Sequence, residues 1–64
     1  MSYYRLYFLN AGGGIENFRE FEAPNDLYAL QQAVQWRGPG AMELWSGARK
    51  LRDWDAPAPV SSRL

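Results

Sequence analysis

Neither histidine nor cysteine occurs anywhere in the 64 residues, so acid–base and nucleophilic chemistry would fall to carboxylates and hydroxyls. Ser2, Ser46, Ser61 and Ser62 lie at the termini or in a turn, with no base to activate a hydroxyl. Glu16, Glu20 and Glu22 read more simply as the solvated side of an edge strand than as an acid/base pair. Asp53 and Asp55 flank Trp54 but bring no further carboxylates for a calcium site, and the usual zinc ligands are missing. The Gly12-Gly13-Gly14 run lacks the Lys-Ser/Thr of a phosphate loop and opens no helix. No catalytic residue, cofactor or metal ligand is expected, and no small-molecule substrate is identified. The expectation is a protein that is not an enzyme.

What the chain does carry is rings: three Trp, four Tyr and three Phe. Several alternate with cations, as in Tyr3-Arg5-Tyr7 and in the run from Lys50 through Arg52 to Trp54. Rings beside cations suit burial against a protein, or base stacking with phosphates held by Arg and Lys. Seven basic residues balance seven acidic ones, whereas a dedicated nucleic-acid binder usually has a basic surplus. The Lys/Arg-Gly-Phe/Tyr-Gly/Ala-Phe signature of RNA-recognition sheets is also missing.

These residues need elements to hold them. Tyr3 to Leu9 is dense in aromatic and apolar residues on both parities, which predicts a central strand. Asn10 to Gly14 supplies the loop of a hairpin. Ile15 to Ala23 is the returning strand, with Phe18 out of phase with Ile15 and Phe21. The favoured reading points Phe18 to the outer face; a bulge between Ile15 and Phe18 is the alternative. Pro24-Asn25-Asp26 predicts a helix start capped by Asn25, with Leu27, Leu30, Ala33 and Val34 as the buried stripe. Gly38-Pro39-Gly40 stops it, Gly38 suiting a left-handed position.

Ala41 to Trp54 reads as a second hairpin turning at Ser46-Gly47. That register sets Met42 against Leu51 and Glu43 against Lys50, apolar to apolar and charge to countercharge. A one-residue slip around Gly47-Ala48, placing Lys50 among the apolar groups, is the alternative.

The fold class expected is α+β: ββαββ, a four-stranded antiparallel sheet in the order 2-1-3-4 with one helix on one face. Tyr4, Leu6, Phe8, Phe21, Leu27, Leu30, Ala33, Val34, Met42, Leu44 and Leu51 form the predicted core. One short helix covers one face only. The open face is expected to carry Tyr3, Arg5, Tyr7, Phe18, Trp45, Lys50, Arg52 and Trp54, and these are the candidate interaction residues. An exposed patch of that composition marks an interaction surface. Self-association about a twofold axis is the leading expectation, because a core this thin needs support and cyclic dimers are the commonest assembly. A different protein partner is a further possibility. A platform for single-stranded nucleic acid is the alternative function, and mutual packing of the rings with the C-terminal tail is the plainest reading.

Two segments, Tyr3-Tyr4-Arg5-Leu6-Tyr7-Phe8-Leu9 and Ala41-Met42-Glu43-Leu44-Trp45-Ser46-Gly47-Ala48-Arg49, resemble a group of very short uncharacterised bacterial proteins. Those open on a Tyr-Arg-Leu-Tyr-Phe strand and close on a Met-Glu-Leu-Trp-x-Gly hairpin. The resemblance implies a bacterial, intracellular stand-alone domain and brings no activity with it. Tyr28 and Trp36 depart from the Ala-rich helix of that group, and the C-terminal tail is additional.

The length allows one domain, expected over residues 1–54, with a disordered Pro/Ser-rich tail over 55–64. No apolar run nears the roughly 20 residues of a membrane helix, and the start lacks a secretory signal pattern. A cytoplasmic location without membrane association is therefore expected.

Overall fold

The computed structural model describes residues 1–56. Strands β1 (Ser2–Leu9) and β2 (Ile15–Ala23) precede helix α1 (Asp26–Gln35), and β3 (Met42–Ser46) and β4 (Arg49–Trp54) follow it. The strands form one antiparallel sheet in the order β2-β1-β3-β4, the predicted ββαββ arrangement. The expected tail lies, from residue 57 on, outside the described residues. No helix among the described residues is long and apolar enough to cross a membrane.

Asn10 closes the first loop. Its Oδ1 accepts from the amides of Gly12 and Gly14 at 2.9 and 3.0 Å, and Gly13 turns the chain at φ +87°. Beyond the loop, Tyr4 faces Phe21, Arg5 faces Glu20 and Tyr7 faces Phe18. Phe18 therefore shares the outer face with Tyr7, as favoured from the sequence. The register also shifts beside Phe8 and Leu9, leaving Glu16 as an extra residue and setting Ile15 against Leu9. Ile15 thus joins the outer side, and Glu16 is not in line with Glu20 and Glu22.

Asn25 caps α1 as predicted, its Oδ1 accepting from the Tyr28 amide at 2.8 Å. The helix's buried stripe is rotated from the expected one. Ala29 and Ala33 are fully buried, with Leu30 half-buried beside them. Leu27 and Val34, expected in the core, are 66% and 56% exposed. Alanine on the inner stripe lets the helix backbone sit close to the sheet, and Trp36 fills the remaining gap from the helix end. Its ring meets Phe21 edge-on at 5.0 Å, and the Arg19 guanidinium lies 4.6 Å over it. The helix ends on a tightened turn, with the Trp36 amide donating to the Ala33 carbonyl at 3.1 Å. Gly38 is not left-handed, contrary to expectation: positive φ among the described residues occurs only at Gly13 and Gly47.

The second hairpin turns at Gly47-Ala48, one residue later than the favoured register. Ser46 faces Arg49 and Trp45 faces Lys50. Gly47 at φ +61° is the first of the two loop residues, and Ala48 keeps negative φ, the pattern of a type II′ turn. The slip does not carry Lys50 into the core, because Trp45 itself points outward. Past Lys50 the ladder shifts again: Leu44 faces Arg52, so Leu51 is an extra residue on β4. This bulge reverses the parity of the strand's second half. Trp54 faces Met42 and joins the rim of the core, which comprises Tyr4, Leu6, Ala23, Ala29, Ala33, Met42 and Leu44.

Candidate functional site

Alternation along β1 and β3 decides which side chains leave the helix side. Leu6 and Leu44 face each other and are fully buried, so the adjoining Arg5, Tyr7, Glu43 and Trp45 point outward. Six of the eight predicted surface residues lie on this outer face: Tyr3, Arg5, Tyr7, Phe18, Trp45 and Lys50. Arg52 and Trp54 do not. The β4 bulge turns both to the helix side, where the Arg52 guanidinium lies 5.5 Å over the Trp54 ring. Two pairs at spacing i, i+3 in the sequence carried that signal. Leu51 and Trp54 are both apolar, and Lys50 and Asp53 are opposite charges. A regular strand sends i and i+3 to opposite faces, so two such matched pairs call for an inserted residue.

Tyr3 is 73% exposed and Phe18 50%, while Tyr7 and Trp45 are half-buried by their neighbours. The Tyr7 and Phe18 rings are 6.2 Å apart and tilted. Arg5 sits between them and the acidic edge. Its guanidinium lies 4.9 Å from the centre of Phe18, donates to Tyr7 Oη at 3.4 Å and forms an ion pair with Glu20. The Tyr7 hydroxyl and the Glu20 carboxylate together hold its pKa above the usual value. A depression of about 400 Å³ opens beside it, lined by Tyr3, Arg5, Tyr7, Glu20, Trp45 and Gly47, with Tyr4.

Towards β4, Glu43 and Asp53 face one another, an unfavourable pairing that their neighbours relieve. Lys50 Nζ donates to Asp53 at 3.0 Å, and Trp45 Nε1 donates to Glu43 at 3.0 Å. Asp53 raises the Lys50 pKa by accepting that hydrogen bond. The interaction residues expected from the sequence omit Glu20, Glu22 and Glu43, which alternation already puts on the outer side, and Asp53, which only the β4 bulge brings there. Among the described residues, the face therefore bears four carboxylates against the two cations Arg5 and Lys50, each cation already ion-paired.

A smaller apolar stripe runs along the solvent side of α1, where Leu27, Tyr28 and Val34 are exposed. Comparison of the chain with protein-family models, curated proteins and solved structures finds no match.

Proposed function

We propose that this protein is a non-enzymatic assembly module that associates with a second copy of itself, or with another protein, through the outer face of its sheet. The observation that carries the reading is the group Tyr3, Tyr7, Phe18 and Trp45, gathered on the side the helix does not cover, with Tyr3 and Phe18 open to solvent. Exposed rings of this kind, rimmed by charge, are the composition of interaction surfaces. A thin core, seven buried residues among those described, gives association a further use, since it would add the burial that the single chain lacks. The setting proposed is bacterial and cytoplasmic, on the strength of the Tyr-Arg-Leu-Tyr-Phe and Met-Glu-Leu-Trp segments.

The same face weighs against a platform for single-stranded nucleic acid. Among the described residues its carboxylates outnumber its cations, and Arg5 and Lys50 are engaged by Glu20 and Asp53. Backbone phosphates would meet net negative charge.

Sedimentation equilibrium across micromolar concentrations tests the proposal. The wild-type chain is expected to show concentration-dependent mass, and Trp45→Glu to abolish it while leaving the circular dichroism spectrum unchanged. A monomer at every concentration, indifferent to Trp45→Glu, would overturn the self-association reading.

A further inference from the structure

Strand order and register give one row of the outer face a charge pattern that is complementary to its own reverse. Read across the sheet from β2 to β4, one row runs Glu20, Arg5, Trp45, Lys50. The next runs Phe18, Tyr7, Glu43, Asp53. The first row ends in an acid at one side and a base at the other, with a guanidinium and an indole between them.

Two copies meeting face to face have two simple twofold settings in the contact plane. An axis across the strands lays each strand over itself: through the first row it sets Glu20 on Glu20 and Lys50 on Lys50, and midway between the rows it sets Glu20 on Phe18 and Lys50 on Asp53 of the second copy. An axis along the strands lays each row over its own reverse. Glu20 then meets Lys50 of the second copy, Arg5 meets Trp45 of the second copy, and Tyr7 meets Glu43 of the second copy. The first setting stacks like charges or leaves Glu20 against a ring, whereas the second gives both Glu20 and Lys50 a countercharge and sets a cation on a ring on both sides of the axis.

Resting on the self-association reading above, we infer that the partner is a second copy of this chain seated about a twofold axis parallel to the strands. The axis runs between β1 and β3, and so passes between Arg5 and Trp45 and between Tyr7 and Glu43. Existing ion pairs are kept and extended in this arrangement. Arg5–Glu20 in one copy and Lys50–Asp53 in the other join into a row of alternating sign, repeated by symmetry at the opposite edge. The other axis would bring two Glu20 carboxylates together or, set midway between the rows, leave Glu20 facing Phe18 without a countercharge.

Mixing two charge-reversed variants tests the geometry. Glu20→Lys and Lys50→Glu each place like charges at both edges of a homodimer, and each is expected to weaken it about tenfold or more. An equimolar mixture restores opposite charges at both edges. It is expected to form a heterodimer within a few-fold of wild-type affinity, seen by native mass spectrometry and sedimentation. A mixture no tighter than the separate variants, while the wild type dimerises, overturns the orientation and leaves the assembly reading standing. A wild type that stays monomeric overturns both.

Lys50→Glu sets a third acid beside Glu43 and Asp53, so a measurement that avoids charge reversal is also needed. The natural chain has no cysteine, and Glu20→Cys and Lys50→Cys can be mixed with a short bismaleimide. Cross-links between the two variants are expected. Cross-links formed only within each variant would identify the axis across the strands and overturn the inference.

Discussion

Tyr4 Oη donates a 2.8 Å hydrogen bond to Asp26 Oδ1, pinning the first turn of α1 to the first half of β1. Asp26 holds Arg49 Nη2 at 3.3 Å on its other oxygen, so one carboxylate ties together β1, α1 and β4. The Tyr4 hydrogen bond, helped by Arg49, holds the Asp26 pKa below its ordinary value. The same hydrogen bond raises the pKa of Tyr4. A depressed carboxyl contributes stability above its unfolded pKa, near 4, and loses it as pH falls through the lower folded value. A raised phenol contributes below about pH 10 and loses its share as pH rises through the higher folded value. Wild-type Tm should therefore be level between those limits and fall beyond each. Tyr4→Phe should lower the plateau by roughly 5 °C and flatten the alkaline fall, measured by thermal melts across pH.

Helix phase gives a contrast between residues of similar chemistry. Leu44 is fully buried under α1, so Leu44→Ala should cost roughly 2–5 kcal/mol in urea unfolding. Leu27→Ala and Val34→Ala change exposed side chains and should each stay within about 0.5 kcal/mol. Similar losses at Leu27 and Leu44 would show that the helix packs on its other stripe.

Gly40 is held by space rather than by dihedral angle. A Cβ built there would lie 2.6 Å from the Leu9 carbonyl oxygen, in the stretch where the Leu9 amide donates to Ala41 at 2.9 Å. Backbone cannot yield as a side chain can, so Gly40→Ala should cost about 1–3 kcal/mol. Gly38→Ala, with no atom within 4 Å of the added carbon, should be close to neutral. Chemical unfolding of the two variants side by side checks this.

Two tryptophans on β-hairpin strands should separate stability from association. Trp54 packs at the rim of the core opposite Met42, whereas Trp45 points outward beside Arg5 and Lys50. Trp54→Ala should lower the unfolding free energy by about 1–3 kcal/mol with association retained once folded. Trp45→Ala should weaken association at least tenfold with little change in unfolding midpoint. The comparison needs only sedimentation and a denaturant titration.

Strand order was readable because β1 is apolar on both parities and therefore has to be central, which leaves only one wholly antiparallel arrangement around it. The outward position of Phe18 followed from the same alternation. Parity failed at Arg52 and Trp54, where the inserted Leu51 reverses the strand, since simple alternation has no term for an extra residue. Helix phase failed for a different reason. Leu27 and Val34 are more hydrophobic than Ala29, but the close approach to the sheet, fixed by the Tyr4–Asp26 hydrogen bond, favours small residues at the contact. Glu20, Glu22 and Glu43 were legible as outward residues, but as a solvated edge and a cross-strand ion pair rather than as part of the patch. Asp53 becomes an outer residue only through the bulge at Leu51.

Isotope-filtered NOE spectroscopy on a sample half labelled and half unlabelled measures the central claim most directly, since it reports only contacts between molecules. Intermolecular signals are predicted from the ring protons of Trp45, Tyr7 and Phe18. Signals arising instead from Leu27, Tyr28 and Val34 on the helix, or none at millimolar concentration, would contradict assembly through the open side of the sheet.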